Sequence, residues 1–213
     1  MKKAMTLTYE VGENLYINVT NRCCCACTFC IRKNDDGAYG SDPLWLEHEP
    51  SIEEMQEDLR KRDLSRYQEL VFCGYGEPTM RLGFICALAA WLKVEYPGIR
   101  LRLNTNGLAD IYMQEQTRDR DAASQLSAVF DSFSVSLNGG DADVYLRVTN
   151  PQGAPANAYE TMLRFASACK ANGREVAFTV VDVISPEEIA AAQMQAHALG
   201  IPLHVRQYIS SAD

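Results

Sequence analysis

Five of the chain's eight cysteines fall within eight residues, at Cys23, Cys24, Cys25, Cys27 and Cys30. A disulfide needs Cα atoms about 5.5 Å apart in a specific orientation, which near neighbours on so short a loop rarely achieve. In a reducing compartment such a group is better read as a metal site. Cys23, Cys27 and Cys30 have the spacing C-x3-C-x2-C. Three thiolates on one loop can hold three irons of a [4Fe-4S] cluster and leave the fourth iron without a protein ligand. A reactive cluster needs that open position; a pure electron carrier does not. The competing reading is structural zinc, which takes four Cys or His ligands, normally as paired short motifs. Cys24 or Cys25 would be an awkward fourth corner of a tetrahedron, there is no second C-x2-C pair, and the nearest histidine is His48. The spacing favours iron–sulfur and leaves zinc open. Cys73, Cys86 and Cys169 lie scattered in apolar contexts and are expected to be small buried hydrophobes.

The rest of the composition describes an ordinary globular chain. Its 213 residues, 47% hydrophobic, suffice for one domain (1–213) with a full core. Acidic residues outnumber basic ones 28 to 20, for a net charge of −8. That argues against a large nucleic-acid footprint, although Arg100 and Arg102 could form a local basic stripe. No apolar run reaches the eighteen or so residues of a membrane span. Residues 1–8 carry two lysines but no apolar segment behind them, so no secretion signal is read there. The expected location is the cytoplasm.

Positioning the cysteine loop falls to a series of alternating elements. Strands are expected at 15–20, 69–73, 100–104, 133–137, 176–183 and 203–209, the first running directly into the cysteines. Ser51 followed by Glu54 forms a capping box for a helix bearing Ile52, Met55 and Leu59 on one face. Further helices are expected at 82–94, 119–129 and 158–171, the last stopped by Asn172-Gly173. Ser185 caps a helix that Pro186 opens and Gly200 ends. Six β/α units predict a parallel sheet with right-handed crossovers, as a partial or full barrel or a doubly wound sheet. The long segment 31–50, with Gly37, Gly40 and Pro43, reads equally as a functional loop or a mobile surface excursion.

The unusual residues gather at one end of these units. The cysteines follow the first expected strand and Gly74-Tyr75-Gly76-Glu77-Pro78 the second. Asn104-Thr105-Asn106-Gly107 ends the third, and Ser136 with Asn138-Gly139-Gly140 ends the fourth. In parallel α/β folds, sites form at the carboxyl ends of strands. Each exit alone is ordinary turn chemistry; the pattern lies in their convergence.

These residues, in this order, resemble the radical S-adenosylmethionine (SAM) superfamily. Cys23-x3-Cys27-x2-Cys30, with Phe29 before the last cysteine, is similar to its cluster-binding signature, and Gly74 to Pro78 to its glycine–glutamate motif. At closer range Asn21-Arg22-Cys23-Cys24-Cys25, Trp45-Leu46-Glu47 and Phe72 to Thr79 resemble the TatD-associated radical SAM subgroup. The resemblance implies a partial (β/α)6 TIM-type barrel with outer helices. It implies that Cys23, Cys27 and Cys30 hold a [4Fe-4S] cluster whose open iron takes the amino and carboxylate groups of SAM. Phe29 would pack the adenine, and the Gly74-Tyr75-Gly76-Glu77 turn would bring backbone carbonyls near the methionine ammonium. Glu77 would brace the turn or the ammonium. Asn104, where many relatives carry an acid, and Asn106 would add polar contacts. Ser136 would meet the ribose, and Asn138 stands where some relatives use a lysine for the carboxylate. The implied reaction is one-electron cleavage of SAM to methionine and a 5′-deoxyadenosyl radical, which abstracts hydrogen from a substrate.

The substrate is not written so plainly. On the last strand His204, Arg206 and Tyr208 alternate with Leu203, Val205, Gln207 and Ile209. Facing inward, Arg206 and Tyr208 would meet an anionic or aromatic substrate; facing solvent is the simpler expectation. Asp182 is equally ambiguous, and His197 reads as a surface or packing residue. A minimal six-unit barrel has an open side suited to a protein or peptide, or to a small metabolite. The resemblance also implies a flavodoxin or ferredoxin as reductant. Two alternatives stand beside the enzyme: a non-catalytic iron–sulfur electron-transfer or binding protein, and a zinc-stabilised interaction module.

Overall fold

The structure is a computed structural model that describes residues 2–209. It is built on one seven-stranded sheet whose strands lie in chain order. A hairpin of β1 (Thr8–Val11) and β2 (Asn14–Asn18) pairs antiparallel, its turn made at Gly12, where φ is +58°. From β2 onward every pairing is parallel, through β3 (Leu70–Cys73), β4 (Leu101–Thr105), β5 (Ser132–Ser136), β6 (Glu175–Val181) and β7 (Leu203–Arg206). β1 and β7 are the two ends of the sheet, so the barrel is partial and open on one side. The six parallel strands are those the alternation predicts. β1 is an addition that periodicity missed, because four residues at a sheet edge carry too short a pattern to register.

The helices are α1 (Ile52–Arg60), α2 (Leu82–Glu95), α3 (Ala109–Tyr112), α4 (Gln114–Thr117), α5 (Ala122–Ser127), α6 (Ala142–Thr149), α7 (Ala158–Ala171) and α8 (Pro186–Ala198). Both expected capping boxes form, Ser51 with Glu54 and Ser185 with Glu188. The helix expected at 119–129 is confined to α5, because Asp121 caps it by accepting from the Ser124 amide at 2.7 Å. α6 has no sequence counterpart. Its Val, Tyr and Thr residues are weak helix formers, and its start is fixed by the Asp141 side chain, which accepts from the Val144 amide at 2.9 Å.

Strand register divides the sheet into two unlike faces. Leu15, Leu70, Leu101, Phe133, Val176 and their neighbours two residues on point outward, and most are buried beneath the helices. There the rings of Phe72 and Phe130 meet edge to face at 4.9 Å, a contact worth about 0.5–1.5 kcal/mol beyond its buried area. The inner face carries Tyr16, Cys73, Arg102, Asn104, Ser134 and Ser136, with Thr179 and Arg206 on the last two strands. A face this polar is built to meet a ligand, since apolar side chains would fill a lumen meant only for packing.

Segment 31–50 is tied down at both sides of the open barrel. Asn34 donates to the Tyr208 hydroxyl at 3.0 Å and to the Ile209 carbonyl at 2.7 Å, beyond β7. At the other side the Asn18 side chain donates to the Leu44 carbonyl at 2.8 Å, and the Ala4 amide to Trp45 at 2.9 Å.

Candidate active site

The cysteine loop leaves the carboxyl end of β2 and is held from outside by the turn that follows α6. The Ala26 amide donates to Asn150 at 3.0 Å, Thr28 to Val148 at 2.9 Å, and Gln152 to Cys24 at 2.8 Å. Asn150 reverses the chain there with φ of +44°. This clamp was invisible in sequence because α6 itself was.

All eight cysteines are free, and the five in the loop divide in two. Cys24 and Cys25 are buried in the main core beneath Asn106, whose side-chain amide donates to Cys24 Sγ at 3.1 Å and Cys25 Sγ at 3.6 Å. Cys23, Cys27 and Cys30 are only half-buried. Cys27 and Cys30 open onto a cavity of about 280 Å³ at the carboxyl ends of the strands, with Phe29, Gly74, Asn104 and Ser136 in its wall. Among the described residues no three Cys, His, Asp or Glu side chains converge closely enough to hold a single metal ion.

The glycine–glutamate turn explains how the loop and β3 fit together. A Cβ on Gly74 would stand 2.2 Å from Asn18 Oδ1, and one on Gly76 would stand 2.4 Å from the Thr20 carbonyl and 2.5 Å from that of Arg22. The glycines therefore let the turn lie against the chain leading into the cysteines. Tyr75, between them, lines the cavity and donates its hydroxyl to the carbonyls of Asp35 at 2.9 Å and Gly37 at 2.6 Å, fixing segment 31–50.

Glu77 is 5% exposed and lies behind the cavity wall. Its Oε1 accepts from the Thr79 amide at 3.1 Å, the Thr79 hydroxyl at 2.8 Å and the Thr105 hydroxyl at 2.7 Å; Oε2 accepts from the Asn106 amide at 2.8 Å. It thus fastens the β3 exit to the β4 exit. Burial pushes its carboxyl up to about 7, with the nearby Cys24 sulfur adding to the effect and the hydrogen bonds opposing it. Asn106 is bonded within the same wall, and Asn138 is buried with its amide on the Thr179 carbonyl at 3.2 Å.

Of the residues singled out in sequence, Phe29, Gly74, Tyr75, Asn104, Ser136, Cys27 and Cys30 face the cavity; Cys23, Gly76, Glu77, Asn106 and Asn138 do not line it. The Asn104 Oδ1 is buried and has no hydrogen-bond partner, so the cavity wall holds an acceptor awaiting a donor. On the last strand both sequence readings hold in part: Arg206 and Tyr208 line the cavity yet remain exposed to solvent, and Arg206 reaches Ser134 Oγ across the inner face at 3.5 Å. Tyr9 and Tyr16 also line it; Tyr9 was overlooked in sequence because β1 was, and Tyr16 because the inward face of the strand at 15–20 was not assigned.

The sequence profile of the Radical SAM superfamily matches residues 17–201. The chain belongs to the radical SAM superfamily. This is a family of enzymes whose cofactors are a [4Fe-4S] cluster and SAM. Over 96 residues the chain is 31% identical to 5-amino-6-(D-ribitylamino)uracil–L-tyrosine 4-hydroxyphenyl transferase 1 of Methanosarcina barkeri, covering 45% of this chain and 22% of that enzyme. SuiB of Streptococcus suis, bound to S-adenosylmethionine, shares the fold with a TM-score of 0.66 over 92% of this chain and 40% of its own, at 15% identity. Native anSMEcpe with bound AdoMet gives 0.61 over 92% and 51%, at 16% identity. The chain therefore spans about a fifth of that curated relative and about half or less of these structures. Among the described residues no helix is long and apolar enough to cross a membrane.

The radical SAM cofactors fit what the residues offer. Three half-buried thiols share one loop, two of them open onto the cavity, and the wall beside them carries the unpartnered Asn104 acceptor.

Proposed function

We propose that this chain is a single radical SAM core domain that holds a [4Fe-4S] cluster on Cys23, Cys27 and Cys30 and binds SAM in the adjoining cavity. One observation carries the proposal: Cys27 and Cys30 open onto the same cavity as Phe29, Gly74, Asn104 and Ser136, at the carboxyl ends of the strands. When bound, the reduced cluster supplies the electron that divides SAM into methionine and a hydrogen-abstracting 5′-deoxyadenosyl radical. The chain's own work is positioning. Phe29, packed beside Val148, Val180 and Ile184, offers an apolar face to the adenine. Asn104 Oδ1 offers an acceptor and Ser136 a hydroxyl to SAM's polar groups. Glu77 and Asn106 act from behind, holding the β3 and β4 exits in register, and Asn138 does the same beyond β5. Segment 31–50, latched by Tyr75 and Asn34, forms one side of the cavity through Ile31, Ala38 and Tyr39.

The TatD-associated subgroup is the finer assignment we propose. Its three segments are in mutual contact: Asn21 exchanges two hydrogen bonds with Leu46, at 2.8 and 3.0 Å, and the Trp45 ring meets Tyr75 edge to face at 5.3 Å. Eight unbridged cysteines favour a reducing, cytoplasmic setting. A flavodoxin or ferredoxin as electron donor follows from the family resemblance. The direct test is anaerobic reconstitution with iron and sulfide. About four irons per chain and binding of SAM are expected, with both lost in Cys27→Ala. A chain that takes up zinc in place of iron would refute the proposal.

A further inference from the structure

The cavity wall contains one charged side chain, Arg206, and no Asp, Glu or Lys. This is not what composition alone would supply, since the chain carries 28 acidic residues and a net charge of −8. Nor is the cation neutralised from within. The only side-chain hydrogen bond of its guanidinium among the described residues is to Ser134 Oγ at 3.5 Å, a neutral acceptor. The other inner-face arginine behaves differently: Arg102 is paired with Glu69 at 3.1 Å. Among the described residues no neighbouring carboxylate forms an ion pair with Arg206. Glu175 holds Arg100 at 2.8 Å, and Asp182 accepts from the Tyr208 amide at 2.6 Å. Arg206 stands between this cavity, where Tyr9, Tyr16 and Tyr208 face the same space, and a second one that Glu69, Arg102, Ser134 and Glu175 line without an ion pair to it among the described residues.

A guanidinium without a carboxylate ion pair, in a wall shared with tyrosine side chains, is suited to an anion carried on a small flat body. The geometry points to Arg206 as the anchor for the anionic group of the substrate, a small ring-bearing carboxylate or phosphate ester held in the cavity at the open side of the barrel. The inference rests on the reading of this cavity as the SAM site. It also favours a small metabolite over a protein, because the 31–50 segment crosses the open side and is bonded there to Tyr208 and Ile209 through Asn34. SAM has a carboxylate of its own, so the test must separate the two anions.

The anaerobically reconstituted full chain is titrated calorimetrically, in separate arms, with benzoate, phenyl phosphate, the uncharged benzamide, and SAM. At least one of the two anions is expected to bind, and benzamide to bind at least about tenfold more weakly, as befits loss of a charge-assisted contact. Which anion binds distinguishes carboxylate from phosphate. Arg206→Gln is expected to lose about tenfold or more in anion affinity, and Arg206→Lys to keep part of it. SAM affinity should stay within about twofold in both, since the charge serves the substrate. Arg206 is exposed at the end of an edge strand, so neither variant threatens the fold. Three results overturn the inference alone: no anion binding by the unsubstituted chain, equal affinity for benzamide, or loss of SAM and anion affinity together in Arg206→Gln. Absence of SAM binding by the unsubstituted chain overturns the reading of the site as well.

Discussion

Replacing Gly76 by alanine would place a methyl carbon 2.4 Å from the Thr20 carbonyl oxygen and 2.5 Å from that of Arg22. Ordinary contact begins about 1 Å further out, and both obstacles are backbone, so neither can swing aside. The two chains must separate, and the hydrogen bond from the Glu77 amide to the Arg22 carbonyl, 2.8 Å long, lies at the point of separation. Overpacking of this kind costs about 1–3 kcal/mol, and the lost hydrogen bond about 0.5–1.5 more. A total of about 2–4 kcal/mol corresponds to a fall of about 5–15 °C in Tm for a chain of this size. Gly76 has no positive φ, so the effect is steric rather than conformational. Gly83 serves as the control: a Cβ there meets only the flexible Gln116 side chain at 3.6 Å, near the start of α2. Gly83→Ala should stabilise by about 0.4–1 kcal/mol. Thermal and denaturant unfolding of both variants, free of metal and under argon, provides the assay. A Gly76→Ala midpoint equal to that of the parent would refute the close approach on which the loop's placement depends.

The remaining expectations are simpler to state. Cys24→Ser and Cys25→Ser should each retain about four irons per chain while Cys23→Ser, Cys27→Ser and Cys30→Ser do not; iron and sulfide analysis decides, and loss of iron in Cys24→Ser would redraw the ligand set. Tyr75→Phe should expose 34–43 to proteolysis and amide exchange at a cost of only about 1 kcal/mol in global stability, because its hydroxyl holds Asp35 and Gly37; unchanged exchange would remove the latch. Burial holds the Glu77 carboxyl at about 7, above its ordinary value, so the native chain keeps a proton that the unfolded chain has released. That contribution is complete below about pH 4.5 and is lost as pH rises through 7, up to about 3 kcal/mol in the metal-free protein. Glu77→Gln should flatten that part of the stability curve; a profile that keeps its slope would assign it to another group.

Much of the architecture could be read from the chain because its signals are local. The capping boxes at Ser51 and Ser185 each join two residues three apart, and the stop at Asn172-Gly173 is realised with φ of +76° at Gly173. Convergence of the strand exits followed from their order in a parallel fold. What escaped depends on partners far away in sequence. β1 has meaning only as the edge that brings Tyr9 to the lumen. α6 matters because Val148 and Asn150 grip a loop more than a hundred residues earlier. The sense of β7 is set by its register against β6, which puts Arg206 opposite Val181 on the inner face. Glu77 was expected either to brace its turn or to meet the ammonium; its four donors, from Thr79, Thr105 and Asn106, lie far along the chain or across the turn, and no local pattern announces them.

The central claim is radical SAM chemistry at Cys23, Cys27 and Cys30, and one measurement tests it most directly. The anaerobically reconstituted chain is reduced with dithionite, given SAM, and assayed for 5′-deoxyadenosine beside Cys27→Ala. Product from the parent and none from the variant is the predicted result. A cluster that reduces fully yet yields no 5′-deoxyadenosine, even with benzoate or phenyl phosphate present, would contradict the claim and make this an electron-transfer protein.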